Sequence, residues 1–501
     1  MKAMNMRATI LAGLLGSTIF AGPALAADTS NVPLVTAAKL GDRAAVRSLL
    51  NGIPQKVIAG AEGTAALVWA ASRNDAEMVD LLIGAGADAK SANEFGATAL
   101  YAAAANPDAA ITGKLLAAGA DANVALLSGE TALMEAARRG NLDVVRALLS
   151  AKANPNAQEA NGGQSVLMWA VSQRHSAVVE ELVRGGADVK AGSKTGFTPL
   201  MFAAQQDDVE SARILIDAGA NPNEVRPKSG NSYTPLIIAS AMGHAKVAEL
   251  LLDKGADPNA IDARGYSSLH LAVRDSDYGI DLAGKDNVVK IVKSLLAHGA
   301  NPNHRLKLAR NVGTLNEVSL QGATPLVLAA EVNNIGAIKV LLEAGADPRI
   351  PTDQGTTALI LAAGAGTSVQ NARSLEERAT AVETAKLLVE HGVDVNAAGQ
   401  YGWTALHGAA YQGLTDLIEF LVSKGANINE MDAFGQTPLS ISLAVLTQDI
   451  GARRPQIPRR YRKEVAEVIL KLGATPLNKS GVVVVDQRNG DLELGREATQ
   501  E

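Results

Sequence analysis

Apolar and polar residues recur in this chain on two nested scales. Within short segments the apolar positions fall at i, i+3 and i+4, as in Val144, Val145, Leu148 and Leu149, or in Val247, Leu250, Leu251 and Leu252. That spacing gathers the apolar side chains on one face of a helix. On the longer scale the whole pattern returns: Gly-Ala pairs, or Gly-Val at Gly392, stand 33 residues apart at Gly86 and Gly119, at Gly186 and Gly219, and at Gly392 and Gly425. Each period predicts two short helices followed by a polar loop. Units of that kind bury their apolar faces only against neighbouring units, so the chain reads as a repeat array rather than one large core.

The letters of one unit explain its elements. Units begin at Gly63, Gly96, Gly129, Gly163, Gly196, Ser232, Gly265, Gly322, Gly355, Gly402 and Gly435, with a degenerate one near Val32, which makes roughly twelve. Thr198, Thr234, Thr324 and Thr437 can cap the first helix by accepting a backbone N–H. The prolines that follow, Pro199, Pro235, Pro325 and Pro438, suit the first helical position, where a missing N–H costs nothing. Thr98, Thr131, Thr357 and Thr404 keep the cap with alanine in place of proline. Paired alanines such as Ala203-Ala204 and Ala409-Ala410 let adjacent helices approach closely. Gly119, Gly219, Gly255 and Gly345 end second helices in the left-handed conformation, and Lys152 in that slot is expected to weaken its cap. The Asp/Asn-Pro-Asn that follows reads as turn chemistry.

Capping threonine, alanine pair and period recur together, and a stretch such as Gly402-Trp-Thr-Ala-Leu-His-Gly-Ala-Ala410 shows all of them. In these residues the chain resembles the ankyrin repeat family, over about residues 32–474. The resemblance implies an all-α solenoid of about twelve helix-turn-helix units with projecting hairpin loops, or fingers, and a concave face that binds proteins. In that family partners touch the two positions before the unit's glycine, the one after it, and the end of the first helix. Here those positions hold Phe95, Phe197, Tyr233, Tyr266, Tyr401, Trp403, Tyr411 and Phe434. Exposed aromatics are the usual anchors of an interface, and Tyr401, Trp403, Tyr411 and Phe434 come from two adjacent units. His270 and His407 fill the slot that the family uses for hydrogen bonds between units. Trp69, Trp169 and Phe202, one residue before the alanine pair, read as core filling.

Three units are too long. Insertions are placed near 275–286, 364–379 and 448–463, between first and second helices, with a further long loop at 304–320 in place of a finger. Long loops in a compact array favour docking or disorder. Ser374–Ala385 reads as a capped extension of a second helix. The insertion holding Arg453, Arg454, Arg459, Arg460, Arg462 and Lys463 has six positive charges and no acid, which suits docking to an acidic partner or an anionic surface. Residues 475–501 leave the pattern, with one short strand expected at Val482–Val485, and read as a cap over the array's end.

Composition narrows the picture further. Apolar residues make up 47% of the chain and aromatics only 3%, as tightly packed short helices require. A net charge of −6 disfavours a nucleic-acid binder. Lys2 and Arg7, the apolar run from Ala8 to about Phe20, and Ala24-Leu25-Ala26 match a secretory signal peptide cut after Ala26. No later stretch is long enough to span a bilayer. Export without any Cys points to a bacterial periplasm. No metal-binding helix, P-loop or nucleophile elbow is present; Gly364-Ala-Gly-Thr-Ser lacks the Lys of a P-loop. The expectation is therefore a monomeric, cofactor-free, non-enzymatic scaffold holding partner proteins in the periplasm. Its resemblance to exported bacterial ankyrin proteins implies a periplasmic redox enzyme as one such partner. A secreted effector or inhibitor of a foreign protein is the alternative.

Overall fold

In a computed structural model the structure describes residues 33–225, 232–274, 285–307, 319–364, 374–444 and 462–477. They fall into two compact units, Met1–Asp257 and Pro258–Glu501. The signal-peptide segment, most of every predicted insertion and the tail beyond residue 477 lie outside the described residues.

The first unit contains seven helix pairs: α1 Pro33–Leu40 with α2 Arg43–Leu50, α4 Ala61–Ser72 with α5 Ala76–Gly84, α6 Ala99–Ala104 with α7 Ala110–Ala117, α8 Ala132–Arg139 with α9 Leu142–Ser150, α10 Val166–Ser172 with α11 Ser176–Arg184, α12 Pro199–Gln206 with α13 Val209–Asp217, and α14 Pro235–Met242 with α15 Ala245–Asp253. One additional turn of helix, α3 Gln55–Ile58, stands between the first two pairs. The second unit contains five pairs: α16 Ser268–Val273 with α17 Lys285–Ala297, α18 Pro325–Glu331 with α19 Ile335–Glu343, α20 Ala358–Ala362 with α21 Leu375–Glu390, α22 Ala405–Gln412 with α23 Thr415–Ser423, and α24 Pro438–Ser442 with α25 Lys463–Lys471. Within each unit the first helices pack side by side in one layer and the second helices in another. The expected all-α solenoid is what the chain forms.

The predicted capping chemistry explains why the helices start where they do. The hydroxyls of Thr98, Thr131, Thr198, Thr234, Thr324, Thr357 and Thr437 each accept the N–H three residues on. The alanine pairs are sealed: Ala203, Ala204, Ala409 and Ala410 are fully buried, which lets helix backbones meet. Lys152 does adopt φ 66°, the conformation its neighbours fill with glycine. Ser374 and Glu377 close a reciprocal box at the start of α21, at 2.6 and 3.1 Å, so the predicted extension is real, about two turns of additional helix.

One unit begins differently from the pattern. Gly63 does not sit in a finger turn: α4 already starts at Ala61, capped by Gly60. The short α3 replaces the finger, and a side chain at position 63 would lie 1.7 Å from the Ile58 carbonyl oxygen. Glycine is needed there for close approach of two backbones.

Within each unit, successive fingers are joined by asparagine side chains rather than by turns alone. Asn156 donates to the Gly186 carbonyl at 3.1 Å and accepts from the Asp188 N–H at 2.7 Å. Asn223 spans Gly255 and Asp257 in the same way, at 2.8 and 2.7 Å. Asn303 joins Gly345 to Asp347, at 3.1 and 2.8 Å, and Asn396 joins Gly425 to Asn427, at 2.9 and 2.7 Å. Each amide thus satisfies an orphan helix-end carbonyl of the following repeat. First helices are tied likewise: Asn106 reaches the Ala71 carbonyl at 2.7 Å, and Asn141 the Ala104 carbonyl at 2.9 Å.

Candidate partner-binding surface

Tyr401, Trp403, Tyr411 and Phe434 do come together in the second unit, but as two distinct layers. The outer layer is Tyr401 against Phe434, with ring centroids 5.7 Å apart. Tyr401 keeps 49% of its surface exposed, and Phe434 is half-buried. In the inner layer Trp403 stacks on His407 at 6.2 Å and meets the edge of Tyr411 at 5.8 Å. Tyr411 is only 9% exposed, and burial pushes its hydroxyl up to about 12.

The inner layer is fixed by hydrogen bonds. The Trp403 Nε1–H donates to Asp432 Oδ2 at 3.1 Å, across to the next finger. His407 Nδ1 accepts from the Thr404 N–H at 3.2 Å and lies 2.8 Å from its hydroxyl. The proton is thereby left on Nε2, which donates to the Gln436 carbonyl at 3.1 Å. Burial holds the imidazole below its ordinary pKa, so it stays neutral. His270 makes the same pair of contacts with Ser267 and with Ala323. The bonds that the histidine slot implied between repeats are present.

Tyr401 sits in a finger that lacks a polar brace at its first turn. In several other fingers the residue three before the glycine braces the loop. Asn93 accepts from the Phe95 and Ala97 N–H groups at 3.0 and 2.9 Å, Asp262 from Arg264 and Tyr266 at 2.9 Å each, and Asp432 from Phe434 and Gln436 at 2.8 Å each. Position 399 is glycine, and a side chain there would meet Thr356 Oγ1 at 2.8 Å. The loop closes as a tight turn over Gln400–Gly402, and Tyr401 takes φ 62°. Holding a tyrosine in that left-handed region costs about 1–2 kcal/mol, and such strain gathers at functional sites. Gln400 accepts from the Ser319 N–H at 2.8 Å, and the Ala433 N–H donates to the Tyr401 carbonyl at 2.8 Å. Both bonds fix the strained turn.

The other aromatic positions divide. Phe95 is exposed and lies beside the still more exposed Leu127, whose N–H donates to the Phe95 carbonyl at 3.1 Å. Phe197, Tyr233 and Tyr266 are buried, which corrects the expectation that they are exposed anchors. Phe197 packs edge-on against Phe202 at 5.8 Å, and Tyr266 lies between His270 and the Arg274 guanidinium, 5.2 Å from its ring. The residue after the glycine points toward its own first helix, so an aromatic there packs inward.

Of the basic insertion, Arg453, Arg454, Arg459 and Arg460 lie outside the described residues. Arg462 is not a free docking charge: its Nε–H donates to the Tyr411 carbonyl at 3.0 Å, and its backbone N–H to the Ser442 carbonyl at 2.8 Å. It ties the aromatic repeat to the start of α25, and Lys463 beside it is exposed. Asp432 and Gly399 complete the site, and the residue pattern alone did not single them out. The available signal was a glycine standing where Asn93, Ser193, Asp262, Thr352 and Asp432 stand elsewhere.

Among the described residues, no group of three or more His, Asp or Glu side chains could hold a metal ion, and no helix is long and apolar enough to cross a membrane. Six of the seven histidines face backbone carbonyls: His175, His244, His270, His298, His391 and His407.

Comparison with known proteins agrees with this architecture. The family model described as "Ankyrin repeats (3 copies)" matches residues 34–125, 67–159, 100–192, 151–226, 222–305, 280–375 and 377–432. An ankyrin repeat protein of Acanthamoeba polyphaga mimivirus is 32% identical over 26% of this chain and 25% of its own length. Ankyrin repeat and SOCS box protein 3 of Bos taurus is 34% identical over 34% of each chain. The E3 ubiquitin-protein ligase KEG of Arabidopsis thaliana is 29% identical over 58% of this chain but only 16% of its own. The chain thus spans about a third or less of the length of these relatives.

Proposed function

The chain belongs to the ankyrin repeat family, and from that premise we propose that it is a non-enzymatic protein–protein interaction scaffold whose partner anchors on Tyr401 and Phe434. One observation carries the reading: a half-exposed tyrosine held at φ 62° and laid against a second aromatic ring. A large, rigid aromatic that is already ordered loses little entropy on binding. Trp403, Tyr411 and Asp432 are the foundation beneath it rather than the contact itself. Six of the seven histidines are committed to backbone carbonyls, which supports a structural role for those six and a scaffold in place of an enzyme. The signal-like residues 1–26 support export, and the lack of Cys supports the periplasm as the working compartment of a monomer. A redox enzyme of that compartment is the partner class that the resemblance to exported ankyrin proteins favours.

The test is a quantitative capture from a periplasmic extract with the intact chain and with Tyr401→Ala/Phe434→Ala as paired baits. One or more partners held by the parent and lost at least about tenfold by the variant is the expected result. Equal recovery on both baits would remove the anchor, and accumulation of the protein only in culture medium would replace the periplasmic scaffold with a secreted effector.

A further inference from the structure

A second surface lies in the first unit, at the C-terminal ends of its first helices. Lys39, Arg73, Arg139 and Arg174 are exposed there, and Arg138 is half-buried. The acids carried by that layer of helices are Glu62, in the opposite end of α4, and Glu135. Glu135 is 4% exposed and sealed beneath two guanidiniums, accepting from Arg138 at 2.9 Å and from Arg139 at 2.9 Å. One carboxylate therefore serves two cations. Most acids of the neighbouring turns are engaged elsewhere: Asp42, Asp75, Asp108 and Asp208 accept the N–H groups that open α2, α5, α7 and α13, and Asp75 also holds Arg43, while Asp207 ends α12 beside Arg174.

The cations have an aromatic floor that repeats. Lys39 Nζ lies 5.1 Å from the ring centre of Trp69, and the Arg138 guanidinium 5.8 Å from that of Trp169. In both pairs the cation ends one first helix and the tryptophan lies on the next. Arg73 and Arg174 each commit one donor to a neighbouring carbonyl, of Lys39 and of Asp207, at 3.2 Å, out of the five that a guanidinium carries. The helix dipole favours a cation at such ends but does not require one: the equivalent positions of the second unit include Glu331 and Tyr411.

We propose that this row binds an extended acidic peptide, laid across the ends of the first helices from Lys39 to Arg174. The inference rests on the scaffold reading but uses a different surface and a different partner chemistry. Adjacent helices stand about 8–10 Å apart, and an extended chain covers about 3.3–3.6 Å per residue, so one repeat is matched by about three peptide residues. Lys39 and Arg73 are one repeat apart, Arg73 and the Arg138–Arg139 pair two, and that pair and Arg174 one. The peptide's carboxylates then fall at about its first, fourth, tenth and thirteenth positions. The tryptophans hold the cations in place while the carboxylates displace water from them.

The test titrates the full chain into a labelled peptide of about thirteen residues with Glu at those positions, followed by fluorescence anisotropy. A peptide with Gln at the same sites should bind at least about tenfold more weakly, and so should the Arg139→Gln/Arg174→Gln variant, with Arg139→Lys/Arg174→Lys restoring most of the loss. Affinity should fall between about 50 and 300 mM salt. Unchanged binding by the Gln peptide or by the Gln variant overturns the proposal, as does no binding at all. A single-stranded oligonucleotide of equal charge that displaces the peptide more tightly than the peptide itself would assign the row to nucleic acid instead. Failure here together with Tyr401-dependent capture leaves the scaffold reading standing. Peptide binding without Tyr401-dependent capture overturns only the fingertip anchor.

Discussion

Trp403 and Asp432 are 29 residues apart in sequence and joined across two repeats by a hydrogen bond of 3.1 Å from the indole N–H. Asp432 spends its other oxygen on the backbone of its own finger, so one carboxylate sets both the finger's shape and the position of the ring beside it. Trp403 in turn supports Tyr411 and His407. The residues that look most like anchors in the sequence therefore do different jobs.

Trp403→Ala is expected to destabilise the second unit by about 2–3 kcal/mol, through a cavity in the aromatic stack and the loss of its bond to Asp432. Tyr401→Ala, which removes an exposed ring, should cost less than about 0.5 kcal/mol. Amide hydrogen exchange across α22, α23 and α24 reads the difference locally, which suits a long array that need not unfold in one step. Similar losses of protection in the two variants would contradict the division into layers.

Acid should weaken the second unit through its buried imidazoles. Burial pushes His270 down to about 3, against about 6.5 in an unfolded chain. As pH falls through that interval the unfolded chain takes up a proton that the folded one refuses. Stability is thus complete above about pH 6.5 and declines below it, by at most about 1.4 kcal/mol per pH unit for each such histidine. His407 adds in the same direction. Denaturant midpoints measured from pH 7 to pH 4.5 should show that slope, and His270→Gln should flatten it even though the variant starts from a lower stability.

Lys152→Gly should stabilise the first unit by about 1 kcal/mol. Lys152 sits at φ 66°, where the equivalent Gly119 and Gly219 adopt φ 90° and 95°; a lysine there pays for a conformation that glycine takes freely. The bond from Asn123 to its carbonyl, at 3.1 Å, involves only backbone at position 152 and is kept. A melting temperature that stays the same or falls would show that the left-handed cap is not strained.

Much of the fold could be read from single residues because each repeat uses local rules. Thr198 before Pro199 marks a helix start wherever it occurs, and the same chemistry placed α12, α14, α18 and α24. What could not be read depends on neighbours. Asn156 and Asn223 look like turn formers until the following repeat supplies their second partners. Tyr233 and Tyr266 share a letter with Tyr401 but not its direction, because rotation of a finger's last residues decides which face an aromatic joins. Gly63 fits the repeat register, yet α3 takes the finger's place and draws it into a helix. The anchor at Tyr401 was legible as an aromatic cluster, whereas the lack of a polar brace at Gly399 stands out only beside Asp432 and Asn93.

The asparagine bridges also bear on how such a chain would respond to being pulled. Each amide clasps the next repeat at two points, as Asn303 does at Gly345 and Asp347, so a stretched segment resists until a clasp opens and then releases the helix pair behind it. In a 33-residue repeat, such a rupture would pay out roughly 110 Å of slack, and more in the longer repeats, a sawtooth whose tooth spacing is set by the repeat and whose height is set by a pair of hydrogen bonds.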